Sequence, residues 1–280
     1  MPATIELTDI RLNYVSIAEA RTLPGLRLVL GAYAIPGPWR EACKGMFYVK
    51  DISYTPVVTA DTRAADLQFG MEDTVRELRE WTSQASAPVA VWNDERPRVS
   101  WIDQLNLADR IAPELPLVPI DNAERVLMFG LINELAGEHG LGWTKRLAIV
   151  DDGLKALPEG AEGRAFFEHL AVKYDYNETE AAVAPARMAV IIGNIGRQLA
   201  SQAEQGRRFL IGDRLSALDI YWSTFAGLFD PLPPEQCPMG TAFRDFYRNP
   251  HTETQEVLST ELLQHRDFIY REYLELPIVF

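Results

Sequence analysis

Three prolines crowd into the nine residues from Ala112 to Ile120 (APELPLVPI). A helix cannot run through such a stretch, because each proline lacks an amide hydrogen and pushes the residue before it out of helical geometry. The segment reads as a stiff extended connector. It separates two stretches of different character, and a chain of 280 residues with 47% hydrophobic side chains is long enough to bury a core on each side.

Before the connector, β-type runs alternate with helical ones. Leu28 to Tyr33 is an apolar run that ends in the turn-rich Ala34 to Pro38, and Trp39 to Lys50 has helical composition. Ile52 to Thr59 (ISYTPVVT) is β-branched and aromatic, with Pro56 limiting it to an edge or a short strand. Asp73 to Trp81 reads as a helix. Pro88 to Trp92, the polar turn Asn93-Asp94 and Arg96 to Val99 read as a hairpin, after which Ser100 caps a helix to about Ile111. This half is α/β.

Beyond the connector the pattern is helical. Asp121 and Glu124 are spaced as a capping box, and Leu127, Leu131 and Leu135 follow at every fourth position. Met188, Ile191, Ile192, Ile195 and Leu199 mark the apolar face of a second helix. Ser216 and Asp219 cap a third through Ile220 to Phe229, and Leu258, Leu262, Ile269 and Tyr273 mark a fourth that ends before Pro277. The proline-rich Asp230 to Pro238 reads as a loop.

Charge and side-chain inventory exclude several functions. With 40 acidic against 27 basic side chains the net charge is -13, a field that repels phosphate backbones and anionic headgroups, so neither nucleic acid nor a membrane surface is an expected partner. No apolar run reaches the roughly 20 residues of a membrane span, and the first residues, with Glu6 and Asp9, lack the order of a secretory signal. A cytoplasmic protein is expected. Cys43 and Cys237 are too few for a disulfide framework, and His139, His169, His251 and His265 include no pair at metal-ligand spacing, so no metal is expected. No phosphate-binding loop, dinucleotide fingerprint or nucleophile elbow is present.

Three segments, in order along the chain, carry a family resemblance. Ser86-Ala87-Pro88-Val89-Ala90-Val91 resembles the entry to a third strand through a cis proline. Ser100, Asn106-Leu107-Ala108-Asp109-Arg110 and Pro116 to Arg125 are similar to a capped helix passing through a linker into a bundle. Gly212-Asp213-Arg214-Leu215-Ser216-Ala217-Leu218-Asp219-Ile220 is similar to a capping element of a central bundle helix. Together, over roughly residues 27 to 250, they resemble the cytosolic glutathione transferases of bacterial type. The resemblance implies α/β plus all-α architecture: an N-terminal extension (1–26), a thioredoxin-like glutathione-binding domain (27–112), a linker (113–120) and an all-helical C-terminal domain (121–280). It also implies a homodimer.

The resemblance further implies glutathione as co-substrate and a set of site residues. Glutathione reacts as its thiolate, so a protein that activates it must lower a thiol pKa of about 8.5 to 9 by about two units, worth about 2.7 kcal/mol. A helix amino terminus and a hydroxyl hydrogen bond are suited to this. Gly37-Pro38-Trp39 looks like the family's Cys-Pro-Phe or Ser-Pro-Phe signature, with Gly37 where the functional side chain normally stands. Tyr33 lies where tyrosine-type relatives place a catalytic phenol. Trp39 and Arg40 would flank the thiol and the glycyl carboxylate, Ala87 and Pro88 the cysteinyl backbone, and Val99 and Ser100 the γ-glutamyl end. Val99 replaces the family's usual Glu or Gln. For Ser100, capping and carboxylate binding use the same amides. Met128, Phe129 and Asn133, with Trp143 or Phe280, would line a pocket for a small apolar electrophile.

Each of these residues also has a plain packing role open to it: Tyr33 as the end of a buried strand, Trp39 and Met128 as core, Arg40 as a solvated charge, Cys43 as a small core residue. Three functions follow. The first is an enzyme that ionises glutathione for attack on an electrophile, by conjugation, ether cleavage, dehalogenation or isomerisation. The second is a non-catalytic carrier of the same fold, favoured by Gly37 and Val99. The third is a thiol-disulfide oxidoreductase using Cys43.

Overall fold

The computed structural model describes residues 12–31, 35–59 and 72–280, with side chains at 72–75 and 241–243 left aside. The chain folds into two compact units, one of Met1–Leu117, Pro231–Arg244 and Tyr270–Phe280, the other of Val118–Asp230 and Asp245–Ile269. The first unit thus draws in two segments from the half of the sequence read as all-helical.

In the first unit the order is α1 (Ile17–Ala20), β1 (Leu26–Val29), α2 (Pro38–Tyr48), β2 (Tyr54–Val57), α3 (Glu72–Thr82), β3 (Val89–Trp92) and α4 (Trp101–Ile111). The sheet is ordered β2-β1-β3, parallel between β1 and β2 and antiparallel between β1 and β3. The parallel pair requires a crossover, and α2 provides it. Single bridges from Val15 to Val57 and from Arg98 to Ala90 widen the sheet at both edges. The expected second arm of the hairpin, Arg96 to Val99, is therefore reduced to one pairing, because Arg98 alone exchanges backbone bonds with Ala90.

Every residue of β1 is buried, as expected for a central strand. One sheet face carries Val29, Val57, Val89 and Val91, covered by Ile17 and Ala20 of α1 and Leu78 of α3. Part of the stretch read as an extension is thus core, held by a reciprocal cap in which Ser16 Oγ accepts the Glu19 amide and the Glu19 carboxylate accepts the Ser16 amide. By alternation Leu28 and Ala90 point to the opposite face, the side left for α2 and α4, which pack on each other. The proline connector is pinned by Lys50, whose ammonium donates to the carbonyls of Ala112 (2.8 Å) and Leu115 (2.6 Å) and pairs with Asp109 (2.8 Å).

The second unit is built around α5 (Asn122–Ala136), α6 (Leu141–Ala156), α7 (Arg164–Lys173), α8 (Glu178–Glu204) and α9 (Ala217–Ala226); α10 (Thr241–Phe246), α11 (Thr252–Val257) and α12 (Thr260–Tyr273) follow along the chain. Its core includes Met188, Ile191, Ile192 and Ile195 of α8. On α6, Gly153 admits the ring of Phe167 so closely that a Cβ would stand 2.2 Å from it. Asp121 caps α5 as expected, accepting the amides of Ala123 and Glu124 at 2.9 Å. Glu124 does not complete a box and instead pairs with Arg207. The buried stripe of α5 is Met128, Ile132 and Leu135, while Leu127 is exposed.

The capping element at α9 is the most fully bonded polar feature of this unit. Asp219 is completely buried, and its carboxylate accepts the Leu210 amide (2.8 Å), the Ser216 amide (2.9 Å), the Ser216 hydroxyl (2.7 Å) and His265 Nε2 (2.9 Å). A buried carboxylate survives only with such compensation. Among the described residues no helix is long and apolar enough to cross a membrane.

Candidate functional site

The β1–β3 register sets Val29 opposite Val89, so the end of β1 lies beside the start of β3. Three features gather at that end of the first unit. The chain leaves β1 through Leu30 and Gly31 and enters α2 at Gly37-Pro38. It enters β3 through Ala87-Pro88, whose peptide bond is cis, as the resemblance implied. It enters α4 at Ser100, and Gln104 ties that helix to the same place by donating from Nε2 to the carbonyls of Pro88 (2.9 Å) and Arg98 (3.3 Å).

Helix α2 starts here because Gly37 takes an extended conformation as N-cap and Pro38 supplies a preset φ where no amide is required. Gly37 provides no side-chain cap, so the positive end of this helix is carried by backbone dipoles alone. Ser100 caps α4 by accepting the Asp103 amide at 3.2 Å. The opening turn of a helix is a ready anion cradle. Asp103 already brings one negative charge to it, and Arg96 at 3.2 Å holds that carboxyl below its usual range.

The other expected site residues fall as follows. Trp39 is half-buried in the first turn of α2, Ala87 is half-buried before Pro88, and Val99 is exposed next to Ser100. Tyr33 lies outside the described residues. Arg40 differs from the expected contact with a glycyl carboxylate. It is 5% exposed, and its guanidinium donates to the carbonyls of Gly31 (2.7 Å), Leu30 (3.4 Å) and Ile35 and pairs with Glu41 (3.2 Å). Its donors are spent on the chain between β1 and α2. Met128 is fully buried on the core face of α5 and presents no surface to a ligand. Phe129, half-buried under the Arg125 guanidinium (4.9 Å), and Asn133, exposed, belong to the same helix of the second unit.

The cysteines are not placed for redox chemistry. Burial, with Glu41 close by, pushes the Cys43 thiol well above its ordinary range, and burial pushes Cys237 up to about 11. Thiolate, the reactive form, is disfavoured at both.

Sequence reading missed Gln104, Glu41 and Lys44. Their signal is polarity in the wrong place: α2 is buried along almost its whole length, yet it carries Arg40, Glu41 and Lys44 within two turns.

No family model matches the sequence, and no curated protein matches it. Solved structures do. The β-etherase LigF from Sphingobium sp. strain SYK-6 is 17% identical with a TM-score of 0.52, over 84% of this chain and 98% of that one. Ure2p in complex with glutathione is 13% identical with a TM-score of 0.55, over 90% and 93%. A glutathione transferase from Pseudomonas putida with glutathione disulfide bound is 15% identical with a TM-score of 0.51, over 89% and 95%. This chain has the glutathione transferase fold, a thioredoxin-like unit with a small mixed sheet and a helical unit.

Proposed function

We propose that the protein binds glutathione at the end of the sheet where α2, the cis Pro88 segment and α4 begin, and ionises its thiol for attack on a small apolar electrophile. The observation that carries this reading is the convergence of two helix amino termini and the entry to β3, joined by the Gln104 to Pro88 bond. A γ-glutamyl carboxylate takes the opening amides at Ser100, the cysteinyl backbone pairs along Ala87-Pro88, and the thiol sits at the positive end of α2. Solved structures of this fold with glutathione or its disulfide bound support the choice of ligand.

Tyr33 is the side chain proposed to donate a hydrogen bond to the thiolate, since Gly37 has none to give. The same reading makes the protein a cytoplasmic homodimer without a metal.

A carrier that binds glutathione without activating it is the second reading, favoured by the bare Gly37 cap. Calorimetry with glutathione on wild type, Ser100→Ala and Tyr33→Phe, with ultraviolet detection of thiolate near neutral pH, separates the two. Catalysis predicts weaker binding for Ser100→Ala, and near-normal binding without thiolate for Tyr33→Phe. Binding without thiolate in wild type supports the carrier. Absence of binding in wild type removes both readings.

A further inference from the structure

Arg40, Glu41 and Lys44 of α2 are 5%, 8% and 5% exposed. Burying ions is costly, and apolar residues of similar size are often at least as stabilising, so a buried charged trio is weakly explained by stability alone. In this trio every charge is met. Arg40 pairs with Glu41 at 3.2 Å, and the other Glu41 oxygen pairs with Lys44 at 3.1 Å. Lys44 then donates to the carbonyl of Val279, 235 positions away.

Val279 lies in the short tail after α12. That tail is fixed by backbone bonds on both sides of Val279: the Ile278 amide donates to the Gln236 carbonyl (2.8 Å), and the Phe280 carbonyl accepts the Leu12 amide (2.7 Å). Glu275, in the same tail, lies in the fields of Lys44 and Glu41, and burial raises its pKa. At the other end of the trio, Arg40 grips Leu30 and Gly31 on the strand side of the β1–α2 connection and Ile35 on the helix side. One unbroken set of buried polar contacts therefore joins the tail to the connection that leads into α2.

We propose that Arg40, Glu41 and Lys44 are positioning residues through which the seated tail after α12 fixes Leu30, Gly31 and Ile35 beside the start of α2, and with them the geometry in which a bound thiol meets the amino end of that helix. The functional half of this inference rests on the glutathione reading above. The structural half stands on the contacts alone. The trio touches no substrate; Glu41 and Lys44 act through Arg40, and Arg40 acts through backbone carbonyls.

The test compares wild type, Lys44→Met and a chain ending at Leu276. The shortened chain keeps every α2 side chain, so it decides the matter if Lys44→Met does not fold. Exchange of the Leu30, Gly31 and Ile35 amides, measured without ligand, should quicken by about tenfold in each variant, while amides of α6 and α8 keep their wild-type rates. With glutathione added, the pH of half-ionisation seen by ultraviolet absorbance should rise by about one unit, with calorimetric affinity within about twofold of wild type. A wild-type exchange rate at Leu30, Gly31 and Ile35 in a folded variant of either kind overturns the coupling. If wild type binds no glutathione, the functional reading falls, and the exchange measurement still decides whether the tail controls the connection.

Discussion

The side-chain amide of Gln104, one turn into α4, donates at 2.9 Å to the carbonyl of Pro88, sixteen residues earlier, and a buried side chain thereby sets the distance between a helix start and the entry to a strand. Leucine at this position fills similar space but leaves that carbonyl without its donor. Gln104→Leu should cost about 1 to 3 kcal/mol in urea unfolding and weaken glutathione binding. Unchanged affinity in a folded Gln104→Leu protein would separate this bond from the ligand site.

Gly37 is a glycine that its surroundings do not require. Its φ is -69°, and a Cβ would meet nothing nearer than the Arg40 Cβ at 4.0 Å. Serine caps helices slightly better than glycine, so Gly37→Ser should fold normally and gain a few tenths of a kcal/mol. It should also place a hydroxyl at the amino end of α2 and increase the thiolate signal of bound glutathione. Unaltered thiolate in a stable Gly37→Ser protein would place the thiol elsewhere.

Lys145 gives the second unit a pH dependence of known sign. It is 2% exposed, donates to the Arg248 carbonyl at 2.6 Å and lies 5.0 Å from the Phe229 ring centre. Burial lowers its pKa to about 8, with the Arg146 charge adding to the effect. The unfolded lysine holds its proton to about pH 10.4, so between these values the unfolded state binds more protons and stability rises with pH, by up to about 3 kcal/mol. That contribution is present above the unfolded pKa and is lost as pH falls through the folded one. Denaturant unfolding from pH 7 to 10.5 should show the rise in wild type and a flatter profile in Lys145→Met; equal slopes would refute the assignment.

Cys43 and Cys237 should resist alkylation in the native protein at pH 8 and react together once denaturant unfolds it, because both thiols are buried and have raised pKa values. Mass spectrometry of the modified chain reads this directly. Rapid native labelling of Cys43 would revive the disulfide-exchange reading.

The sequence was most legible where structure depends on neighbours along the chain. Ser100, Asp121 and the Ser216–Asp219 pair announce helix starts, and the apolar run at Leu28 announces the central strand. Periodicity is less exact: residues four apart drift by about 40° per step around a helix, so the row Leu127, Leu131 and Leu135 runs from exposed to buried, whereas Met128, Ile132 and Leu135 all stay within the buried stripe. Ser16 and Glu19 carry the spacing of a capping box ahead of α1, but a four-residue helix leaves no periodic pattern to confirm it. For Arg40 the partners are backbone carbonyls, which every residue has, so nothing in the sequence marks them. The contact of Lys44 with Val279 joins opposite ends of the chain, beyond the reach of any local pattern.

The first unit is assembled from three separate stretches of chain. Synthesis delivers β1, α2 and β3 well before Val279, which lies 235 positions beyond Lys44. Lys44 therefore lacks the carbonyl it will hold while the helical stretches between them emerge and fold. A nascent chain stalled before Val279 emerges should display an unfinished α2 beside helices that are already formed.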